Sequence, residues 1–127
     1  MTEQEKRELI DRYLTAYNAF DIEGMMLTLH PDIEFENVSG GEVNATASGA
    51  DAFYQMAQQS KALFTSRQQT VTAFDAAGDG ASIEVAYEGG LASDLPNGMK
   101  AGDVLKLEGR SQFEFKDGKI SRIVDYS

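Results

Sequence analysis

The chain has 127 residues, with 11 Lys and Arg against 21 Asp and Glu, a formal charge of −10 at pH 7. That length suits one domain, residues 1–127, and the acidity argues against nucleic acid or an anionic membrane as partner. The absence of cysteine excludes disulfides, thiolate metal sites and a thiol nucleophile, and a single histidine, His30, excludes a multi-histidine metal centre.

Thr2 and Glu5 have the spacing of a capping box. Behind it Leu9, Ile10, Tyr13, Leu14, Tyr17 and Phe20 recur at three and four residues, which predicts an amphipathic helix. Asp21 suits the N-cap of a short second helix carrying Met25, Met26, Leu27 and Leu29. Pro31 is expected to stop it, with His30 capping its last carbonyls. From Asp32 to Val38 the chain alternates, with Ile33, Phe35 and Asn37 on one face of a strand. Ser39-Gly40-Gly41 turns the chain into a short strand at Glu42 to Ala47. Ser48 and Asp51 repeat the capping-box spacing ahead of a helix with Phe53, Met56, Ala57 and Ser60 on one side.

From Ser66 onward the signals are strand and hairpin. Thr70 to Asp75 reads as a strand, followed by a turn cluster at Ala76-Ala77-Gly78-Asp79-Gly80. Ile83, Val85 and Tyr87 alternate with Glu84, Ala86 and Glu88, and Pro96-Asn97-Gly98 marks another reversal. Leu105, Leu107, Gly109, Ser111, Phe113 and Phe115 share one parity, opposite Lys106, Glu108, Arg110, Gln112 and Glu114. Asp117-Gly118 is a hairpin signal feeding a last strand from Lys119 to Tyr126. Helices followed by a run of antiparallel strands form an α+β pattern, with the helices on one sheet face. The mixed charges of the other face suit solvent or a polar dimer contact. No N-terminal apolar segment or membrane-length run is present, so a cytoplasmic protein is expected.

The stretch from Asp11 to Met25, the stretch Leu29-His30-Pro31-Asp32-Ile33-Glu34-Phe35 and the closing Asp117 to Tyr126 resemble the nuclear transport factor two-like superfamily. More narrowly they are similar to its SnoaL-like and ketosteroid-isomerase-like branch. The resemblance implies a cystatin-like cone: a curved antiparallel sheet wrapped around N-terminal helices, with an apolar pocket at the open end. It also implies a homodimer through the outer sheet face. Ketosteroid isomerases use a carboxylate base at the end of the first strand, and the matching residue here is Asn37, an amide that takes no proton at pH 7. Their oxyanion hole pairs a tyrosine on the first helix with a protonated acid on an inner strand. Tyr13 matches the tyrosine, Ser111 falls at the acid, and Tyr54 matches a further pocket tyrosine. Limonene epoxide hydrolases of the same superfamily use two carboxylates bridged by arginine. Asp125 matches one, Glu88 could be the other, but Ala86 stands where the arginine is needed and Arg110 has the wrong parity.

The resemblance therefore leaves Asp125 as candidate base, as in SnoaL-type cyclases, with Tyr13 or Asn37 polarising a carbonyl. If Ile123 and Asp125 face the cone, burial raises the pKa of that carboxyl; the alternative is a rim salt bridge or backbone hydrogen bonds. Asn37 is polar on an apolar parity and needs a partner, either a ligand or an internal tyrosine or Asp125. Tyr17, Phe35, Tyr54, Ser111 and Phe113 complete the expected ligand-binding set. The methionines read as core filler. The expected ligand is small, largely apolar and carbonyl-containing, without metal or cofactor, and turnover by isomerisation, cyclisation or dehydration competes with a non-catalytic ligand-binding module and with a pure dimerisation module of the same fold.

Overall fold

A computed structural model describes residues 1–96 and 98–127. Thr2 starts helix α1 (Glu3–Asn18): its hydroxyl accepts from the Glu5 amide at 3.1 Å, and the Glu5 carboxylate accepts from the Thr2 amide at 2.9 Å. The helix ends in a Schellman-type turn. The amides of Phe20 and Asp21 reach back to the carbonyls of Tyr17 and Ala16, and Phe20 takes the left-handed conformation, φ 57°, where glycine is usual. Asp21 then caps α2 (Ile22–Met26) by accepting from the Gly24 amide at 3.0 Å.

Pro31 does not stop α2. The helix closes at Met26, where the Thr28 hydroxyl donates to the Met25 carbonyl and the Lys119 ammonium to that of Leu27. Pro31 lies inside strand β1 (Leu29–Ser39). It is tolerated because β1 pairs with β2 (Glu42–Ser48) only from Glu34 onward, and the pairing with the last strand is interrupted between Leu29 and Glu34. His30 likewise caps nothing. Its Nδ1 accepts from the Asp32 amide at 3.0 Å and its Nε2 lies 3.4 Å from Asp117. The second capping box does not form either. Ser48 is the last residue of β2 and its hydroxyl donates to Glu34 at 2.7 Å. Gly49, at φ 87°, turns the corner into α3 (Ala50–Lys61) without a side-chain cap.

Strands β3 (Phe64–Ala77), β4 (Gly80–Leu91), β5 (Val104–Lys116) and β6 (Lys119–Tyr126) complete a six-stranded sheet of order β2-β1-β6-β5-β4-β3. Neighbours are antiparallel except β1 and β6, which run parallel and so join the first strand to the last. The reversal expected at Pro96-Asn97-Gly98 includes Asn97, which lies outside the described residues. A bulge between Val71 and Ala73 changes the parity of β3, so Arg67, Gln69 and Val71 face inward and Phe74 does too.

Helix α1 packs on β3 and α3 on β1 and β2. Ile10, Ile33, Phe53, Phe113, Ile120 and Ile123 are almost wholly buried between them. The outer face carries exposed cross-strand ion pairs, Lys106 with Glu88 and Arg122 with Glu36 and Glu114. Such exposed pairs contribute little stability. Leu107 has inward parity yet is 37% exposed, because the space between sheet and helices opens there. No helix is long and apolar enough to cross a membrane among the described residues.

Gly109 sits where β5 presses on β6: a Cβ there would lie 2.8 Å from the Tyr126 carbonyl oxygen. Gly109→Ala is expected to lower the unfolding free energy by about 1–3 kcal/mol, since backbone rather than a flexible side chain must yield. Denaturant titration reads this directly, and an unchanged midpoint would contradict the contact.

Candidate functional site

The register brings three polar residues into one inward row. Asn37 on β1 lies opposite Asp125 on β6, and Asp125 lies opposite Ser111 on β5. All three line a cavity of about 450 Å³ between the sheet and helices α1 and α3. That volume is within the range of small-molecule sites. Tyr13, Tyr17, Phe35, Phe53 and Met56 supply much of its wall.

Asp125 is the only acidic side chain lining this cavity among the described residues. The residue as a whole is half-buried, because cavity space reaches it, but its carboxyl is enclosed by protein. Burial pushes that carboxyl up to about 6, and the Ser111 hydroxyl, donating at 2.6 Å, pulls it back part of the way. The short bond fits an O–H donor on a carboxylate. Among the described residues Asp125 makes no rim salt bridge. Tyr13 is 6% exposed and its hydroxyl has no hydrogen-bond partner among the described residues. Burial, then the charge of Asp125, holds that phenol well above its usual range, so it stays a donor.

Asn37 does not bond Asp125 or a tyrosine. Its Nδ2 donates to the side-chain oxygen of Asn44 on β2 at 2.7 Å. The Tyr17 hydroxyl pairs with that of Tyr87 at 3.0 Å, and burial raises both phenols. Phe35 lies 5.8 Å from Phe53, ring to ring, on the cavity wall.

Two expected contacts fall elsewhere. Tyr54 does not line the cavity: its hydroxyl donates to Glu23 and accepts from Gln58. Phe113 packs in the core against the edge of Tyr13, centroids 6.4 Å apart. The two-carboxylate arrangement is also not assembled, because Glu88 pairs with Lys106 on the outer face and Arg110 lies exposed at the rim over Tyr126. Among the described residues no cluster of three or more metal-binding side chains gathers.

Sequence reasoning missed Arg67, Gln69 and Tyr87, which line the same cavity. Arg67 had a usable signal: it shares the parity of Val71, a strand position that calls for burial.

The profile of the SnoaL-like domain family matches residues 10–123. The chain belongs to the SnoaL-like family. Among curated proteins none matches it. Solved structures align along nearly the whole SnoaL-like chain. A provisionally assigned polyketide cyclase from Xanthomonas campestris pv. campestris is 22% identical, with a TM-score of 0.84 over 98% of this chain and 90% of that one. A protein of ketosteroid isomerase-like fold from Catenulispora acidiphila, solved with trimethylamine, is 18% identical, TM-score 0.77, covering 94% and 85%. A cystatin-fold protein from Novosphingobium aromaticivorans is 16% identical, TM-score 0.75, covering 93% and 94%. At these identities the likeness establishes the cystatin-like, ketosteroid isomerase-like fold of the SnoaL-like protein and nothing finer.

Within that fold, Ser111→Ala is expected to raise the Asp125 pKa above its present value of about 6, because only the lowering hydrogen bond is removed. Carbon-detected NMR titration of the carboxyl measures it. A pKa that falls or stays put would show that the bond does not stabilise the carboxylate.

Proposed function

We propose that this SnoaL-like protein binds a small, largely apolar, carbonyl-containing ligand in its cone and that Asp125 moves a proton on it. The observation that carries the reading is one buried carboxyl poised near neutrality, facing the same cavity as an unpartnered tyrosine hydroxyl. A base with a pKa near 6 is mostly ionised at pH 7 yet still basic enough to accept a proton from an activated carbon. In the proposed step the Asp125 carboxylate takes the proton from a carbon next to the carbonyl. The C–H electron pair moves into an enolate, whose oxygen accepts from Tyr13. The carboxylic acid then returns a proton to carbon, so the protein is unchanged. Isomerisation, cyclisation and dehydration can each begin in this way. The Xanthomonas relative, provisionally a polyketide cyclase, supports that class of chemistry.

A second reading, binding without turnover, is favoured by Asn37: it stands at the base position of the isomerases and is already engaged with Asn44. Deuterium exchange separates the two. Wild type is expected to accelerate exchange of the α-protons of β-tetralone in D₂O, and Asp125→Asn to lower the enzymic rate by about 10²-fold or more. Equal rates in both proteins would leave the binding reading. The proposal also includes a homodimer through the outer sheet face, where exposed cross-strand pairs such as Arg122 with Glu114 lie. Sedimentation showing a monomer at micromolar concentration would remove that part.

A further inference from the structure

We infer that the ligand of this cone is an anion, an apolar body carrying one delocalised oxyanion, and that Arg67 on β3 is the group that holds it. The inference rests on the binding reading above and narrows its ligand class. Arg67 has no carboxylate partner among the described residues. Arg67 is 5% exposed, lines the cavity and carries a fixed positive charge. Its Nε donates to the Tyr17 carbonyl at 2.9 Å, which places a cation at the C-terminal end of α1, where the helix itself has no basic residue. That bond explains one nitrogen. Nη2 is buried with no hydrogen-bond partner among the described residues, and no carboxylate lies within ion-pair distance of the guanidinium. A buried polar nitrogen without a partner is costly, and more so on a charged group.

The position of that guanidinium is built from several sides. The Tyr17 ring lies 3.7 Å from its central carbon and the Phe20 ring 4.6 Å. Phe20 holds this place from the left-handed conformation, which an aromatic residue rarely adopts. Asn18 bonds both the amide and the carbonyl of Gln69, fixing β3 to the end of α1. Stacked and clamped in this way, the guanidinium is held in one place, and its planar fork suits a carboxylate or an ionised enol.

Asp125 is the natural internal counter-ion, yet the two do not pair. Tyr13 and Tyr17 feel both charges, the carboxylate and the guanidinium. The cavity therefore has a carboxylate at Asp125, a buried cation at Arg67 and a second, solvent-exposed arginine, Arg110, at its rim. Nη2 is closed to solvent, so the protein must open locally before a ligand oxygen can reach it. The charge of −10 repels anions from the surface as a whole. A buried arginine is what makes one oxyanion welcome despite that field.

Calorimetric titration with three bicyclic probes of similar size tests the inference: β-naphthoate, the ionised enol of hydroxynaphthoquinone, and neutral β-acetonaphthone. Wild type is expected to bind at least one anion about tenfold or more tighter than the ketone. A preference for naphthoate alone or for the enol alone identifies which oxyanion is meant. Arg67→Met, which keeps the bulk and removes the charge, is expected to abolish that preference while leaving ketone binding in place. Arg67→Lys should restore only part of it. Tighter binding of the ketone by wild type overturns the inference, as does an Arg67→Met variant that weakens all three probes equally. If that variant does not fold, the wild-type order of affinities decides alone. Ketone binding with tetralone exchange but no anion preference sinks the inference and leaves the proposed function standing. Anion preference without exchange does the reverse. Failure of all three probes to bind overturns both.

Discussion

Asp125→Asn should make the protein more stable at neutral pH while removing its proton-transfer group. The carboxyl is raised to about 6 in the folded chain from an ordinary value of 3.8. Below the lower value both folded and unfolded chains hold the proton, and burial of the neutral acid costs little. As pH rises toward 6 the unfolded chain releases its proton first, so stability falls. Above 6 the loss is complete. Two pKa units correspond to about 3 kcal/mol, and contact of the residue with cavity space reduces this to roughly 1–2 kcal/mol. Asparagine has the same shape, never ionises and still accepts from Ser111 through its oxygen. The variant should therefore melt roughly 5 °C higher than wild type at pH 8, with the difference vanishing near pH 4. Thermal unfolding across that range checks the sign. A gain that persists at pH 4, or a loss at pH 8, would mean that the buried charge is not the cause. The trade of stability for a poised carboxylate is common at functional sites, and here one atom type sets both quantities.

What could be read in the sequence was local or parity-based. The Thr2 box, the Asp21 cap and the Asp117-Gly118 hairpin are fixed by neighbours a few residues away. Strand alternation placed Asn37, Ser111 and Asp125 on the inner face, and the parallel pairing of β1 with β6 then set them in one row. That pairing is a contact between the two ends of the chain, and no spacing announces it. The failures were of the same origin. Ser48 has a box spacing, but tertiary pairing of β2 with β1 hands its hydroxyl to Glu34. Tyr54 and Phe113 are aromatic and on helix or strand faces, but which side of the core they reach depends on packing angles. Arg67 lies in the polar run Ser66-Arg67-Gln68-Gln69, where burial of an arginine runs against composition. Only the bulge after Val71, which keeps both Val71 and Phe74 facing in, reconciles the two halves of β3.

Phe113→Ala should cost more stability than Gly109→Ala, and it should damage the site without touching the ligand. Phe113 is 2% exposed and among the largest fully buried side chains. Its removal leaves a cavity that neighbouring strands cannot close, since β5 is pinned on both sides by β4 and β6. Substitutions of this kind cost about 3–5 kcal/mol, a large share of the about 5–15 kcal/mol that holds a domain of this size folded. The ring also supports Tyr13, edge to face, at 6.4 Å. Such pairs add about 0.5–1.5 kcal/mol beyond burial, and their loss frees the phenol to leave the position from which it would donate to a carbonyl oxygen. Phe113→Leu retains most of the volume and should recover most of the stability. It should not recover the edge contact, so exchange on β-tetralone should stay below wild type while the midpoint of denaturation is nearly restored. Loss of stability under 1 kcal/mol for Phe113→Ala would contradict the packing. Full exchange activity in Phe113→Leu would show instead that the backbone of α1, which carries Tyr13 between Leu9 and Tyr17, aims the hydroxyl without the ring beneath it.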